Sequence, residues 1–196
     1  MGDATAASHA FARELETLAQ RLRAITVAVR VGRSGAGTGV IWTGDGAVVT
    51  NAHVAARPFV EVVLEDGRRF TARVERRDPR RDLALVRIDA GVLPAAVRRD
   101  PATLRAGELL VALGNPLGVP NALSVGIAHA PVADGRHRFV QADLRLAPGN
   151  SGGPLADARG GVVGINSMVA GSLALAVPSD DVERFVRADM RGAHAA

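Results

Sequence analysis

Several residue types are missing from this chain of 196 residues, and each absence narrows what the chain can do. It has no cysteine, which excludes disulfides, thiolate metal ligands and a cysteine nucleophile. It also has no lysine and no tyrosine, so all 24 basic residues are arginine. Because nothing titrates between histidine and guanidinium, the sequence pI of 11.2 overstates a net charge of only +4. The high pI is therefore not a signature of nucleic-acid binding.

Aromatic residues and long apolar segments are also scarce. Aromatic residues make up 3% of the sequence, too few to build the stacking platforms that bind single-stranded nucleic acid. No apolar run approaches the roughly 18 residues that a membrane-spanning helix needs. Residues 1–5 have neither a basic start nor an apolar block, unlike a secretory signal. We expect a cytoplasmic protein, or an extracytoplasmic one if a leader has been removed.

Apolar residues are plentiful, at 47% of the chain, and they come in short runs. Those in residues 8–24 follow the helical period, which predicts an N-terminal helical extension over 1–24. From Ile25 onward, about a dozen β-runs separated by Gly- and Pro-rich turns favour an all-β barrel or sandwich. A connector at about 93–106 divides these runs into two similar sets. A second helix is predicted at about 180–190.

Ser151 is the most conspicuous residue, because it lies among three glycines and just before a proline in residues 149–155. That composition suits a turn that exposes one hydroxyl. A serine hydroxyl is a weak nucleophile and needs an adjacent base, with a further group to orient that base. His53, where a β-run turns, is the candidate base, although an ordinary turn histidine would look the same.

Asp82 is the candidate for the orienting acid, because it directly precedes the strongly apolar run 83–88. A carboxylate at the end of a buried strand can hold an imidazole in place. Asp82 could instead simply cap the strand or pair with a neighbouring arginine. Asp78 and Asp143 are rivals for the role, but neither directly precedes such a run.

Residues 149–153 also satisfy the G-x-S-x-G pattern of the α/β-hydrolase nucleophile elbow. That elbow requires a helix straight after the serine, whereas Pro154 is followed by a turn at 157–161. It also requires its acid and base after the serine, where the only histidine is His194, close to the terminus. These features exclude the elbow, and the lack of a Walker A string excludes a phosphate loop.

Three motifs occur in the order His, Asp, Ser: TNAHV at 50–54, DLALV at 82–86 and PGNSGGPL at 148–155. Together they resemble the HtrA (Deg) branch of the chymotrypsin-like serine proteases. Further segments resemble that branch at 39–41, 114–118, 161–166 and 176–179. The resemblance runs from about residue 28 to 187, and no PDZ sequence follows it.

This resemblance implies a protease domain over 25–196, made of two six-stranded antiparallel β-barrels with the active site between them. The first barrel is expected at about 25–92 and the second at about 107–178, with an N-terminal helix before them and a C-terminal helix after them. No cofactor and no metal ion are implied.

By the same resemblance, His53 is the general base, Asp82 fixes its tautomer and Ser151 is the nucleophile. The N–H groups of Gly149 and Ser151 would form the oxyanion hole, with Asn150 shaping the turn between them. The implied activity is a serine endopeptidase that cleaves unfolded or damaged polypeptides through an acyl-enzyme.

The implied substrate pocket includes Leu146 and the strand Ile165-Asn166-Ser167. No acidic residue lies just before Pro148, so we expect cleavage after small or medium aliphatic residues rather than after Arg or Lys. Arg145 departs from the family pattern, which has a small residue there. It would block the pocket if it pointed inward and would be surface charge if it pointed outward.

The family implies a homotrimer and PDZ-assisted capture of substrates. The short loops at 31–37 and 130–137 argue against trimerisation, and the missing PDZ sequence argues against such capture. These departures leave an alternative open, namely a catalytically silent or regulated chaperone-like module on the same fold. A third hypothesis, an anionic partner, rests on an arginine-rich segment at 68–81, which is also compatible with a solvated strand face.

Overall fold

The computed structural model describes residues 2–32, 35–115, 121–133 and 138–193, which form twelve β-strands between two helices. Helix α1 spans Gly2–Ala24 and helix α2 spans Ser179–Ala193. His137, His194 and residues 116–118 of one motif lie outside the described residues.

The first six strands close into an antiparallel barrel, barrel 1, in the order β1-β2-β3-β6-β5-β4. Its strands are β1 Thr26–Val31, β2 Gly35–Ile41, β3 Ala47–Thr50, β4 Phe59–Val63, β5 Arg69–Asp78 and β6 Leu83–Arg87. Apolar side chains alternate toward the inside, as in β4, where Val60 and Val62 are buried. β3 and β6 are neighbours in this barrel, which matters for the active site.

The other six strands close into barrel 2, in the order β10-β11-β12-β9-β8-β7. Its strands are β7 Leu109–Gly114, β8 Ala122–Ala133, β9 Arg138–Asp143, β10 Pro154–Asp157, β11 Val162–Ala170 and β12 Leu173–Pro178. The expected all-β architecture of two six-stranded barrels with a helix at each end is therefore confirmed.

The hairpin between β2 and β3 shows why glycine is required at one turn. Gly46 has a φ of +93°, and a Cβ built on it would lie 2.0 Å from the carbonyl oxygen of Ile88. Only a residue without a side chain fits both that backbone conformation and that close approach. The Gly46 carbonyl in turn accepts a hydrogen bond from the Ile88 N–H at 3.0 Å.

Three apolar clusters form the core: one inside each barrel and a third, the inter-barrel core, between the barrels and both helices. The inter-barrel core includes Val40, Trp42, Val49 and Leu85 from barrel 1, Val111, Leu113, Ile165 and Val177 from barrel 2, and Leu18, Leu22, Val182 and Phe185 from the helices. Burying these side chains together stabilises one relative placement of the barrels.

The two helices reach this core in different ways. Only the last turns of α1 pack, because Leu22 is 1% exposed whereas Phe11 on the same stripe is 56% exposed. Helix α2 packs along its apolar face and is anchored by Trp42, whose Nε1 donates to Glu183 Oε2 at 2.9 Å. Within the described residues, neither helix is long and apolar enough to cross a membrane.

We predict that Leu22→Ala lowers the free energy of unfolding by about 2–5 kcal/mol, because it opens a cavity in the inter-barrel core. Phe11→Ala is the matched control on the same helix, and we expect it to change stability by less than about 0.5 kcal/mol. Urea unfolding followed by tryptophan fluorescence measures both. Equal effects of the two substitutions would contradict this account of how α1 packs.

Candidate active site

The pairing of β3 with β6 brings His53 and Asp82 together. Thr50 at the end of β3 lies opposite Ala84 near the start of β6. His53 lies in the turn that follows β3, which is closed by a bond from the Ala55 N–H to the Asn51 carbonyl at 3.0 Å. Asp82 immediately precedes β6, so His53 and Asp82 lie at the same end of barrel 1.

His53 and Asp82 are joined by three hydrogen bonds. His53 Nδ1 lies 2.9 Å from both carboxylate oxygens of Asp82, and the His53 backbone N–H donates to Oδ1 at 3.1 Å. An ionised carboxylate only accepts, so the Nδ1 position carries the proton. In the neutral ring, Nε2 is then left as a base.

The backbone of Asp82 is unusual, with a φ of +54°. Few residues other than glycine adopt this left-handed conformation, and aspartate is among the more tolerant. Two neighbours hold it there: Asn51 Nδ2 donates to the Asp82 carbonyl at 2.9 Å, and Ser167 Oγ donates to Oδ2 at 2.6 Å. Ser167 belongs to barrel 2, so Asp82 accepts hydrogen bonds from residues of both barrels.

These contacts shift the pKa values of both groups. The hydrogen bond to Asp82 is the largest influence on His53 and raises its pKa, whereas partial burial and the Arg77 charge oppose the rise. Burial is the largest single influence on Asp82 and by itself raises its pKa. The hydrogen bonds from His53 and Ser167 outweigh it and bring the pKa of Asp82 below its ordinary range. The pair therefore favours a carboxylate beside a readily protonated imidazole.

Ser151 follows a tight turn formed by residues 147–150. The Asn150 N–H donates to the Ala147 carbonyl at 3.0 Å, with Pro148 second and Gly149 third in the turn. Gly149 has a φ of +105°. Proline at the second position and a positive φ at the third identify a type II turn.

The same loop determines which N–H groups are free to bind an oxyanion. The Asn150 N–H closes the turn and the Gly152 N–H donates to the Asn166 carbonyl at 2.8 Å, so neither is available. The N–H groups of Gly149 and Ser151 have no hydrogen-bond partner in the part of the chain that the structure describes. Asn150 thus contributes to the turn, and the two N–H groups on either side of it are the candidate donors.

The Ser151 hydroxyl and the imidazole share one cleft of about 240 Å³, lined by His53, Val54, Pro148, Gly149, Ser151 and Ala36. In this structure Ser151 Oγ donates to the Ser167 carbonyl at 3.2 Å. No hydrogen bond joins Ser151 to His53 among the described residues. The Ser151 hydroxyl and the imidazole must therefore move into hydrogen-bond contact before the proton can pass to His53.

The residues expected at the substrate pocket have different environments. Leu146 is half-buried and packs against the core of barrel 2, and Arg145 is exposed; neither is among the residues that line the cleft. The Ile165 side chain is fully buried in the inter-barrel core. Asn166 is also fully buried, with its N–H donating to the Gly153 carbonyl and its Nδ2 to the Pro154 carbonyl.

The arginine-rich segment is partly neutralised. Arg68, Arg69 and Arg81 pair with carboxylates. Arg76 and Arg77 donate to backbone carbonyls of Phe185 and Ala52. Carboxylates thus pair with three of the seven arginines at 68–81, and because a bond to a backbone carbonyl does not cancel a charge, the anionic partner stays a hypothesis. Over the described ranges, no group of three or more His, Asp or Glu residues is arranged to hold a metal ion.

The supporting roles of two residues were missed in the sequence. Asn51 was only part of a motif there, and Ser167 was expected to contribute strand backbone to substrate binding, which stays a prediction; the bond from its hydroxyl to Asp82 was not anticipated. Their roles depend on contacts across 31 and 85 residues of sequence, which no local pattern encodes. A polar residue at the end of an otherwise apolar run, such as Ser167 after 162–165, is the signal that could have indicated it.

Comparison with known proteins places the chain among peptidases. Residues 37–165 match the family described as trypsin-like peptidase domain. A putative serine protease HhoB from Synechocystis sp. is 41% identical over 133 residues, spanning 63% of this chain and 32% of the relative. Human serine protease HTRA4 is 38% identical over 131 residues, spanning 62% of this chain and 28% of the relative.

A solved structure is also similar. An HtrA-type protease AlgW with tripeptide superposes with a TM-score of 0.82 at 30% sequence identity, covering 87% of this chain and 61% of that one. The chain spans about a third or less of the length of the curated relatives it matches. The similarity therefore concerns the two-barrel domain.

We predict that kcat/KM for peptide hydrolysis rises with pH as His53 loses its proton, with a midpoint above the ordinary 6.5 because Asp82 raises the pKa of His53. Asp82→Asn removes that effect, so the midpoint moves to lower pH, and kcat falls by about 10⁴ because the wrong tautomer is favoured. Asp78→Asn, which removes a nearby carboxylate that pairs with Arg81, is the control and leaves the midpoint in place. Stopped assays between about pH 5 and 9 measure all three; an unmoved midpoint in Asp82→Asn would contradict the pairing.

Proposed function

This chain belongs to the trypsin-like peptidase family, and we propose that it is a serine endopeptidase that uses Ser151, His53 and Asp82 to cleave unfolded or damaged polypeptides. The observation that carries the proposal is the His53–Asp82 pair at 2.9 Å in the same cleft as the Ser151 hydroxyl. An oriented base beside a hydroxyl is the arrangement that nucleophilic catalysis by serine needs.

The proposed reaction has two halves. Ser151 Oγ attacks the scissile carbonyl carbon while His53 Nε2 takes the hydroxyl proton, and that proton then passes to the leaving amine, giving an acyl-enzyme. Water next attacks the ester carbonyl, again with His53 as base, and Ser151 recovers its proton as the acid product leaves. Asp82 remains ionised throughout and stabilises the imidazolium.

The negative charge on the carbonyl oxygen would be held by the N–H groups of Gly149 and Ser151. Both lack an internal partner among the described residues, and such donors cost little reorganisation when the charge develops. Where one comparable donor has been removed in other enzymes, kcat fell by about 10²–10³.

An extended polypeptide fits the exposed edge of β11. Strand β10 pairs with β11 only as far as Ile165, opposite Pro154, while β12 covers the other side as far as Ala170. On the side of β11 that β10 occupies up to Ile165, residues 167–170 therefore have no neighbouring strand in the described structure. A substrate strand can add there only if its own backbone is unpaired, which supports unfolded polypeptides as substrates.

Specificity is proposed to come from the apolar wall at Leu146, with a preference for small or medium aliphatic residues before the scissile bond. Arg145 is exposed whereas Leu146 beside it is half-buried, which supports Leu146 rather than Arg145 as the side chain that limits the pocket. An apolar pocket discriminates by size, at about 10–200-fold per methylene.

A second candidate function is a regulated or silent form of the same module, acting on clients by binding alone. It is favoured by one observation, the hydrogen bond from Ser151 Oγ to the Ser167 carbonyl instead of to His53. On this hypothesis suppression of client aggregation does not require the Ser151 hydroxyl.

We predict that a fluorophosphonate probe labels the wild type and not Ser151→Ala, because only an activated serine reacts with it. The wild type also degrades casein, and Ser151→Ala does not. Ser172→Ala, at an exposed turn serine, is the matched control and keeps both activities. An unlabelled wild type, together with aggregation suppression that survives Ser151→Ala, would favour the silent module.

For specificity, we predict that Leu146→Phe narrows the pocket and lowers the ratio of kcat/KM for valine over alanine before the scissile bond by about tenfold or more. We expect Arg145→Ala to leave that ratio unchanged, because its side chain is exposed to solvent whereas Leu146 is half-buried against barrel 2. A fluorogenic peptide series measures both. A larger effect of Arg145→Ala than of Leu146→Phe would place the pocket elsewhere.

A further inference from the structure

Thr38 lies between two glycines in β2 of barrel 1, is fully buried and contacts the nucleophile loop of barrel 2. Its N–H donates to the Ser151 carbonyl at 2.9 Å, and its hydroxyl donates to the Gly149 carbonyl at 2.6 Å. Gly149 and Ser151 are the candidate oxyanion donors, since their N–H groups have no internal partner within the described residues. Thr38 thus donates a hydrogen bond to the carbonyl of each residue whose N–H is a candidate oxyanion donor.

The direction of the Thr38 hydroxyl is fixed by Asn115, which follows β7. The Asn115 N–H donates to Thr38 Oγ1 at 3.0 Å, and Asn115 Nδ2 donates to the same atom at 3.3 Å. A hydroxyl has two lone pairs and one proton. With both lone pairs engaged, the proton is left for the Gly149 carbonyl.

Thr38 is itself held rigidly. Thr50 Oγ1 donates to the Thr38 carbonyl at 2.6 Å. A Cβ built on Gly152 would lie 1.9 Å from that carbonyl oxygen, so the loop and the strand touch at backbone distance. The hydrogen bonds from Thr38 to the nucleophile loop therefore come from a residue that barrel 1 holds in place.

The turn at 147–150 needs such an anchor, because its own sequence does not set one conformation. Type I and type II turns differ by a flip of the central peptide, here Pro148–Gly149, with φ of the third residue negative in one and positive in the other. Glycine adopts either sign at little cost. That flip carries the Gly149 N–H with it, so it decides whether this donor points into the cleft.

The Gly149–Asn150 peptide next to the flipping one is held at both ends. Its carbonyl accepts from Thr38, and its N–H donates to Ala147. We propose that Thr38 is a positioning residue. The hydrogen bond from its hydroxyl to the Gly149 carbonyl holds the Gly149–Asn150 peptide, limits rotation at Gly149, and so keeps the neighbouring Gly149 N–H in the orientation required for the oxyanion hole.

This inference rests on the proposed peptidase function, and it predicts a specific effect on the kinetic constants. Orientation of an oxyanion donor stabilises the transition state much more than the bound substrate. Loss of the Thr38 hydroxyl should therefore lower kcat by about 10–100-fold, part of the effect of losing a whole donor. KM should change little.

The test compares three substitutions. Thr38→Val removes the hydroxyl while keeping the shape, and Thr38→Ser restores it. Thr26→Val is the matched control, because Thr26 is also buried and its hydroxyl also donates to a backbone carbonyl, that of Leu22 at 2.7 Å. Active sites are titrated with fluorophosphonate, so that kcat refers to competent enzyme only, and a peptide aldehyde reports binding of a tetrahedral adduct.

We expect Thr38→Val to lose kcat and aldehyde affinity by similar factors, Thr38→Ser to stay within about threefold of wild type, and Thr26→Val to match wild type per titrated site. Thr38→Val turning over at the wild-type rate per titrated site would overturn the proposal. So would a Thr38→Ser variant as impaired as Thr38→Val, since the hydroxyl would then not be the group that matters.

An independent readout does not need activity. We expect the Gly149 amide resonance in ¹H–¹⁵N spectra to shift or broaden in Thr38→Val and to stay in place in Thr38→Ser and Thr26→Val. If the wild type proves inert, the peptidase proposal fails, and an unmoved Gly149 resonance in Thr38→Val would overturn the positioning role separately. If Thr38→Val does not fold, Thr38→Cys, whose thiol is a much weaker donor, replaces it in both measurements.

Discussion

Two closed barrels can present one active site only if something holds them at a fixed distance and angle, and the inter-barrel core provides that constraint. It joins Trp42 and Leu85 of barrel 1 to Leu113 and Ile165 of barrel 2, all with 2% or less of their surface exposed. Close packing of this kind resists sliding, because any shift opens voids or forces side chains out of their rotamers. The polar contacts of the cleft depend on that fixed geometry.

With the barrels fixed in this way, a few hydrogen bonds across the cleft set the positions of the candidate catalytic groups. Ser167 of barrel 2 donates to the Asp82 carboxylate and accepts from the Ser151 hydroxyl, while Thr38 of barrel 1 binds the carbonyls of Gly149 and Ser151. Each barrel therefore holds the functional residues carried by the other. Hydrogen bonds that form a connected network of this kind restrict the orientation of the groups they join.

The sequence allowed the fold and the catalytic candidates to be predicted together. Turn residues such as the glycines at 44 and 46 marked hairpin ends, and the spacing of apolar residues marked strands. The substrate pocket stays a prediction, and the sequence pattern did not show that the side chains of Ile165 and Asn166, expected there, are fully buried. Alternation along a strand fixes which faces residues take, but not which face meets substrate when both sides of a barrel wall are covered.

The sequence by itself determined the identity and order of His53, Asp82 and Ser151, the all-β class and the helix at each end, because these depend on local composition and on motifs a few residues long. Only the tertiary structure decided how Ser167, Asn51 and Thr38 support them, since those contacts join residues 31 to 111 positions apart. It also decided the resting hydrogen bond of Ser151 and the sign of φ at Gly149. A glycine turn is permissive in isolation, and only its neighbours in the folded chain select one conformation.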